Sequence, residues 1–361
     1  MNKKVIKIKI IKKNKRYNKR VKREMTKEKI EREEALDIMK IIGIFLIILA
    51  HSGLSSKSLL FQIRTFDVPL LVFVSGVLAE QSYKKEKSLF QYYKKRIYRL
   101  LVPTYIFLIM FFAVFYLLGL KLYEIDVIKN SFLLKFSGNI GYIWIIRVYL
   151  LCTLAVPLIV KLKDSVNKYI YFSIIILSFL CFEISCRYRI GYRSPFGPFF
   201  IFDFIVYGCV MAIAAMLYTL KKREIYIITG IFGCMYFAML YYLIGKRGGF
   251  VGMQSFKYPP RLYYTAYGIF ASLILYIVAS TKLMKKICAI PIINFISKST
   301  LWIYFWHIFY LKILSASALP FKWYIRYAVL LIYSIGTTYI QNRIMDSISP
   351  KYKKITKFFR G

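Results

Sequence analysis

Runs of roughly 18–22 apolar residues with few or no charges recur along this chain, each long enough as a helix to cross about 30 Å of hydrocarbon. That repetition selects a lipid environment over a water-soluble core. Of the 361 residues, 58 % are hydrophobic, against about 45–50 % in soluble domains. Length alone would suggest two or three soluble domains, but no polar stretch long enough to build one follows residue 35.

The candidate spans fall at roughly 36–53, 61–80, 99–119, 140–160, 168–186, 198–218, 224–244, 262–280, 289–314 and 323–342. The expected fold is therefore all-α, a polytopic transmembrane helical bundle of about ten spans, embedded in a lipid bilayer. Residues 1–34 read as a basic cytoplasmic tail, 35–345 as the transmembrane domain and 346–361 as a second basic cytoplasmic tail. The basic part of the N-terminal segment is too long for a signal peptide, so the first apolar run reads as a retained span.

Orientation follows from the positive-inside rule. The runs KKEK, YYKKR, KKR, KLMKK and KYKKITK lie in the alternate segments 81–98, 161–167, 219–223, 281–288 and 343–361. An even number of spans then puts both basic termini in the cytoplasm, and the expected location is the cell (inner) membrane. The opposite segments are less basic, although Arg187, Arg189, Arg193, Lys246 and Arg247 fall there.

The formal charge is +39. Its distribution argues against a nucleic-acid partner, because the cations crowd the first 32 residues and short inter-span segments instead of lining one surface. Cys152, Cys181, Cys186, Cys209, Cys234 and Cys288 lie mostly within apolar runs, without metal-ligand spacing to histidines. They read as buried thiols, and no metal site is expected.

Ionisable residues inside spans are costly and mark function by default. The chain has two histidines, His51 and His307, and both sit in or at the end of apolar runs. Lys40 and His51 are eleven residues apart, nearly three whole turns, so they share a face about 16 Å apart along the axis. Asp37 lies one turn before Lys40, and a snorkelling interfacial pair accounts for these two as well as a functional role does. Gly43 leaves room for close packing between them and His51. In the ninth run Thr300, Tyr304 and His307 fall on one face, bringing hydroxyls towards the imidazole, with an aromatic belt as the plainer reading. Asp67, Pro69, Ser75 and Gly76 in the second run suggest a kink and close helix contact. Arg96 and Arg99 project from one side of the segment entering the third span, ahead of Pro103, and guanidinium forks suit phosphate. Positive-inside charge explains the neighbouring lysines more simply.

At these residues the chain resembles acyltransferase family 3, membrane enzymes that modify bacterial surface sugars. Lys40-x10-His51 after Leu36-Asp37, FDVPLLVFVSGVL, RIYRLLVP and STLWIYFWH carry the likeness, in the family's order. One departure stands out. Where many members have a Trp-Ser-Leu-x-x-Glu type motif, this chain reads GYIWIIRVYL, with Trp144 and Arg147 but no acidic residue. That segment and YPPRLYY (Tyr258 to Tyr264) resemble the branch containing fucose 4-O-acetylase-like and enterobacterial-antigen acetylase-like proteins.

The resemblance implies transfer of an acetyl or other short acyl group from acyl-CoA to a hydroxyl of a surface or lipid-linked carbohydrate. His51 would be the general base or a transient acyl carrier. Arg96, Arg99 and Lys40 would meet the donor's phosphates. His307 and Tyr304 would position the acceptor or the thioester carbonyl. Asp37, Ser75 and Trp144 complete the expected site. A transporter or flippase of lipid-linked sugar is the rival, since ten spans with intramembrane cations suit a substrate path. A sensor or structural membrane protein has composition alone behind it.

Overall fold

The computed structural model describes residues 33–359 apart from 121, 136, 189–196, 218, 289, 318 and 319, and these residues form helices and connecting turns with no β-strand. The basic segment 1–32 lies outside the described residues, as do Arg189 and Arg193. The helices are α1 (33–51), α2 (Leu59–Ile63), α3 (Asp67–Lys84), α4 (Leu89–Leu117), α5 (Ile125–Phe132), α6 (Trp144–Ser165), α7 (Lys168–Arg187) and α8 (Gly197–Ala215). They continue with α9 (Lys222–Arg247), α10 (Leu262–Ala279), α11 (Lys282–Cys288), α12 (Pro291–Lys298), α13 (Thr300–Ala316) and α14 (Trp323–Phe359).

The described residues of the apolar runs lie mostly in helix. Among the described residues, six helical stretches are long and apolar enough to cross a membrane: Leu59–Lys84, Leu89–Leu117, Trp144–Ser165, Lys168–Arg187, Lys222–Arg247 and Leu262–Ala279. Four charges near the start of α1 (Glu33, Glu34, Asp37 and Lys40) dilute its apolar character, and α13 is only 17 residues long. Large apolar side chains such as Ile109, Leu158, Ile176 and Tyr241 point outwards along these helices. A water-soluble surface does not carry apolar area on that scale, and a lipid-facing one does.

Three elements differ from the sequence expectation. The third span begins ten residues early, because the Ser88 hydroxyl accepts from the Gln91 amide at 3.2 Å and caps α4 at Leu89. Arg96 and Arg99 thus ride on the helix itself. The ninth run breaks at Ser299 into α12 and α13, with Pro291 opening α12 and the Ser299 hydroxyl accepting from Asn342 at 3.2 Å. The last helix does not end near 342. Its Gln341 side chain donates to the carbonyl of Phe359 at 2.8 Å, although a straight helix would separate the two by about 27 Å. The helix therefore turns back on itself, with Pro350, which has no amide proton, inside the returning stretch. The end of the expected C-terminal tail docks through the Trp302 indole, which donates to the Phe358 carbonyl at 2.9 Å and stacks on Phe359.

Helix α3 is the axle of the bundle. It packs on α8, α10 and α6, and 72 % of its apolar window is buried, against 17 % for α9 at the periphery. Pro69 falls in its first turn, where a missing amide proton costs nothing. At Gly76 the α8 backbone comes so close that an added Cβ would stand 2.8 Å from the Met211 Cα and carbonyl oxygen. Backbone atoms cannot yield as a side-chain tip can. Gly76→Val is therefore expected to cost about 1–3 kcal/mol or more by forcing α3 and α8 apart, seen as a lower melting midpoint in detergent; an unchanged midpoint would refute this contact. Gly43 behaves differently, because its neighbour is the mobile end of the Leu71 side chain.

Candidate functional site

The two histidines meet. The Nδ1 of His51, the last residue of α1, lies 3.0 Å from the Nε2 of His307 in the middle of α13, and the rings are nearly parallel at 6° with centroids 5.2 Å apart. His307 is fully buried, and its other nitrogen, Nδ1, bonds the backbone carbonyl of Tyr304. A carbonyl can only accept, so Nδ1 of His307 carries the proton and a neutral ring leaves Nε2 as acceptor. His51 must then donate from Nδ1, which leaves its Nε2 with the lone pair. The pair thus fixes one tautomer and presents one basic nitrogen.

A third ring closes over this pair. Tyr142 lies 4.1 Å from His51 between centroids, and the Tyr304 hydroxyl holds its backbone carbonyl at 2.5 Å. Gly141 (φ +85°) and Tyr142 (φ +66°) are consecutive left-handed residues. For tyrosine that conformation costs about 1–2 kcal/mol, so the loop is held in a strained form that sets an aromatic face on the imidazole. Lys312, one turn or so beyond His307 on α13, brings its ammonium 5.5 Å from the Tyr142 ring.

Beside the histidines lies a buried charge cluster at the start of α3. Asp67 accepts from Arg64 at 2.7 Å through one oxygen, and from Lys257 at 3.3 Å and the Val68 amide at 2.8 Å through the other. Arg64 is 2 % exposed, Asp67 2 % and Lys257 5 %. The Arg64 guanidinium also sits 3.8 Å above the Phe61 ring, while its Nε is buried without a hydrogen-bond partner. Burial pushes the Lys257 ammonium below its ordinary range, with Asp67 opposing and Arg64 reinforcing the shift. His51 is within electrostatic reach of Arg64, Lys257 and Lys312.

Further along α3 is a cavity of about 100 Å³ lined by Ser75, Arg96, Arg99, Tyr149, Cys152 and Thr153, among others. The Arg96 guanidinium faces the Tyr92 ring at 5.9 Å, and its Nε is buried with no hydrogen-bond partner. The Ser75 hydroxyl is turned back to the Leu71 carbonyl at 2.8 Å. Tyr149, on the cavity's lining, is within electrostatic reach of Tyr304.

A family model described as an acyltransferase domain, that of acyltransferase family 3, matches residues 33–341. The chain belongs to acyltransferase family 3. It is a multi-pass membrane acyltransferase. No curated protein and no solved structure matches the chain.

Within this family member the expected site residues divide into three groups. His51, His307 and Tyr304 come together, and Arg96, Arg99 and Ser75 line the cavity along α3. Asp37 and Lys40 pair with each other at 2.5 Å, eleven to fourteen residues before His51 on α1, and do not reach the histidines. Thr300 begins α13, two turns before His307. Trp144 opens α6 and meets the Tyr258 ring edge-on at 5.5 Å.

Sequence reasoning missed Arg64, Lys257 and Tyr142. Arg64 and Asp67 have the i,i+3 spacing of a helical ion pair, a signal that could have been read. Lys257 lies 190 residues from Asp67, and no local pattern joins them.

Proposed function

We propose that this acyltransferase moves an acetyl or similarly short acyl group from acyl-CoA to a carbohydrate hydroxyl at the cell membrane, and that it stands nearest the fucose 4-O-acetylase-like branch. The observation that carries the proposal is the tautomer-fixed histidine pair, which leaves Nε2 of His51 as a base beside a buried, partly charged site. His51 takes the acceptor's hydroxyl proton as the oxygen bonds to the thioester carbonyl carbon. The carbon–sulfur bond then breaks, and the imidazolium returns the proton to the departing thiolate. His307 holds the ring in register and shares the charge while the proton resides there.

The arginine cavity supplies the donor end. Arg96 and Arg99 are two guanidinium groups on one helix face, a geometry that grips phosphate oxygens. Asp67 begins α3, and Ser75 and Ala79 line the arginine cavity about 12–18 Å further along that helix. A donor whose phosphates lie at one end can extend its acyl arm to the other.

The test is CoA release by purified protein in nanodiscs, with acetyl-CoA and a panel of sugar acceptors. Acceptor-dependent release is expected, and Arg99→Ala should raise the KM for acyl-CoA about tenfold or more with a smaller change in kcat. Folded protein that releases no CoA with any short acyl-CoA would reject the donor. A fall in kcat alone for Arg99→Ala would take the phosphates elsewhere.

A further inference from the structure

The cluster at the start of α3 is short of one negative charge. Two nearly fully buried cations, Arg64 and Lys257, share the single carboxylate of Asp67, which already accepts three hydrogen bonds. One of those comes from the Val68 amide on the backbone next to it. An uncompensated charge out of water is expensive, and proteins leave one where a ligand supplies the partner. The Arg64 Nε, buried with no acceptor, is the donor left over.

We propose that Arg64 and Lys257 seat an anionic group, a carboxylate or phosphate, carried by the acceptor sugar whose hydroxyl is acylated. This rests on the acyltransferase reading and narrows the acceptor to acidic carbohydrates. The cluster lies within electrostatic reach of His51, so an anion held there belongs to the same substrate whose hydroxyl His51 would deprotonate. Its position at the start of α3, about 12–18 Å from Ser75 and Ala79 along the helix, assigns the anion to the acceptor and leaves the arginine cavity for the donor phosphates. A neutral sugar would leave the extra charge unpaired, so the cluster selects against it.

The experiment is a binding measurement that needs no turnover: melting midpoints of the purified chain in nanodiscs with glucuronate, glucose 6-phosphate or glucose. The two anionic sugars are expected to raise the midpoint and glucose to leave it unchanged. Lys257→Gln should weaken glucuronate binding about tenfold, the loss of one charge-assisted hydrogen bond, while Lys257→Arg retains most of it. Arg99→Ala should keep the glucuronate response. Equal shifts with glucose and glucuronate, or a response that survives Lys257→Gln, overturns the proposal. A response lost in Arg99→Ala and kept in Lys257→Gln moves the anion to the other cavity and overturns it as well. Absence of CoA release would reject the function proposed above without altering this binding result.

Discussion

Replacing His51 with alanine is expected to lower kcat for acyl transfer by about 10²–10⁴-fold, the usual contribution of a positioned general base. The KM for acyl-CoA should stay within a few-fold of wild type, because the donor's phosphates are assigned to a separate cavity. His307→Gln should cost less than His51→Ala. The glutamine can still accept from His51 Nδ1, but it cannot spread the charge of an imidazolium as a second ring does. Steady-state rates of CoA release for the three proteins check the order. A His51→Ala variant that is folded and retains more than about a tenth of the activity would remove this nitrogen from the base role. Equal losses from both substitutions would instead mark a pair that works as a unit.

The second large effect is on stability. Lys163 on α6 binds both oxygens of Glu80 on α3, at 2.7 and 2.8 Å, and also donates to the Ala215 carbonyl at the end of α8 at 2.7 Å. One ammonium thus ties together three helices, with the Lys163 side chain 6 % and the Glu80 side chain 9 % exposed. Lys163→Met leaves the Ala215 carbonyl without its donor and the Glu80 carboxylate with only the half-exposed Lys84 ammonium at 3.1 Å, and a loss of about 3 kcal/mol, the low end for a broken buried pair, is expected. Glu80→Met with Lys163→Met should recover much of that loss, since two packed methionines carry no stranded charge. Melting midpoints of the two single variants and the double variant decide it. A double variant no better than Lys163→Met would show that the Ala215 carbonyl bond, not the ion pair, holds the helices.

Much of this molecule was legible in the sequence. Long apolar runs leave the backbone no partner but itself in lipid, so the helices of the bundle follow from composition and length. His51 and His307 stood out because an ionisable side chain in an apolar run has a desolvation cost that needs a reason. Gly76 was readable for a related reason, as a side chain deleted where two helices touch. The boundaries were less readable. Helix α4 starts at Leu89 because Ser88 caps it, and polar residues ahead of an apolar run can be either loop or helix until a cap is seen.

The sequence by itself determined that the chain is a helical membrane protein with two imidazoles in apolar runs and an arginine pair ahead of the third apolar run. Only the tertiary structure decided what those groups face. His51 and His307 are 256 residues apart, and Asp67 and Lys257 are 190 apart, so no helical period relates either pair. The Asp37–Lys40 pair, by contrast, is local, i,i+3 on α1, and its spacing already pointed to it. Periodicity fixes which side of one helix a residue occupies. Which other helix lies opposite is set by packing, where backbones such as those at Gly76 and Met211 can approach and where a buried charge finds its partner.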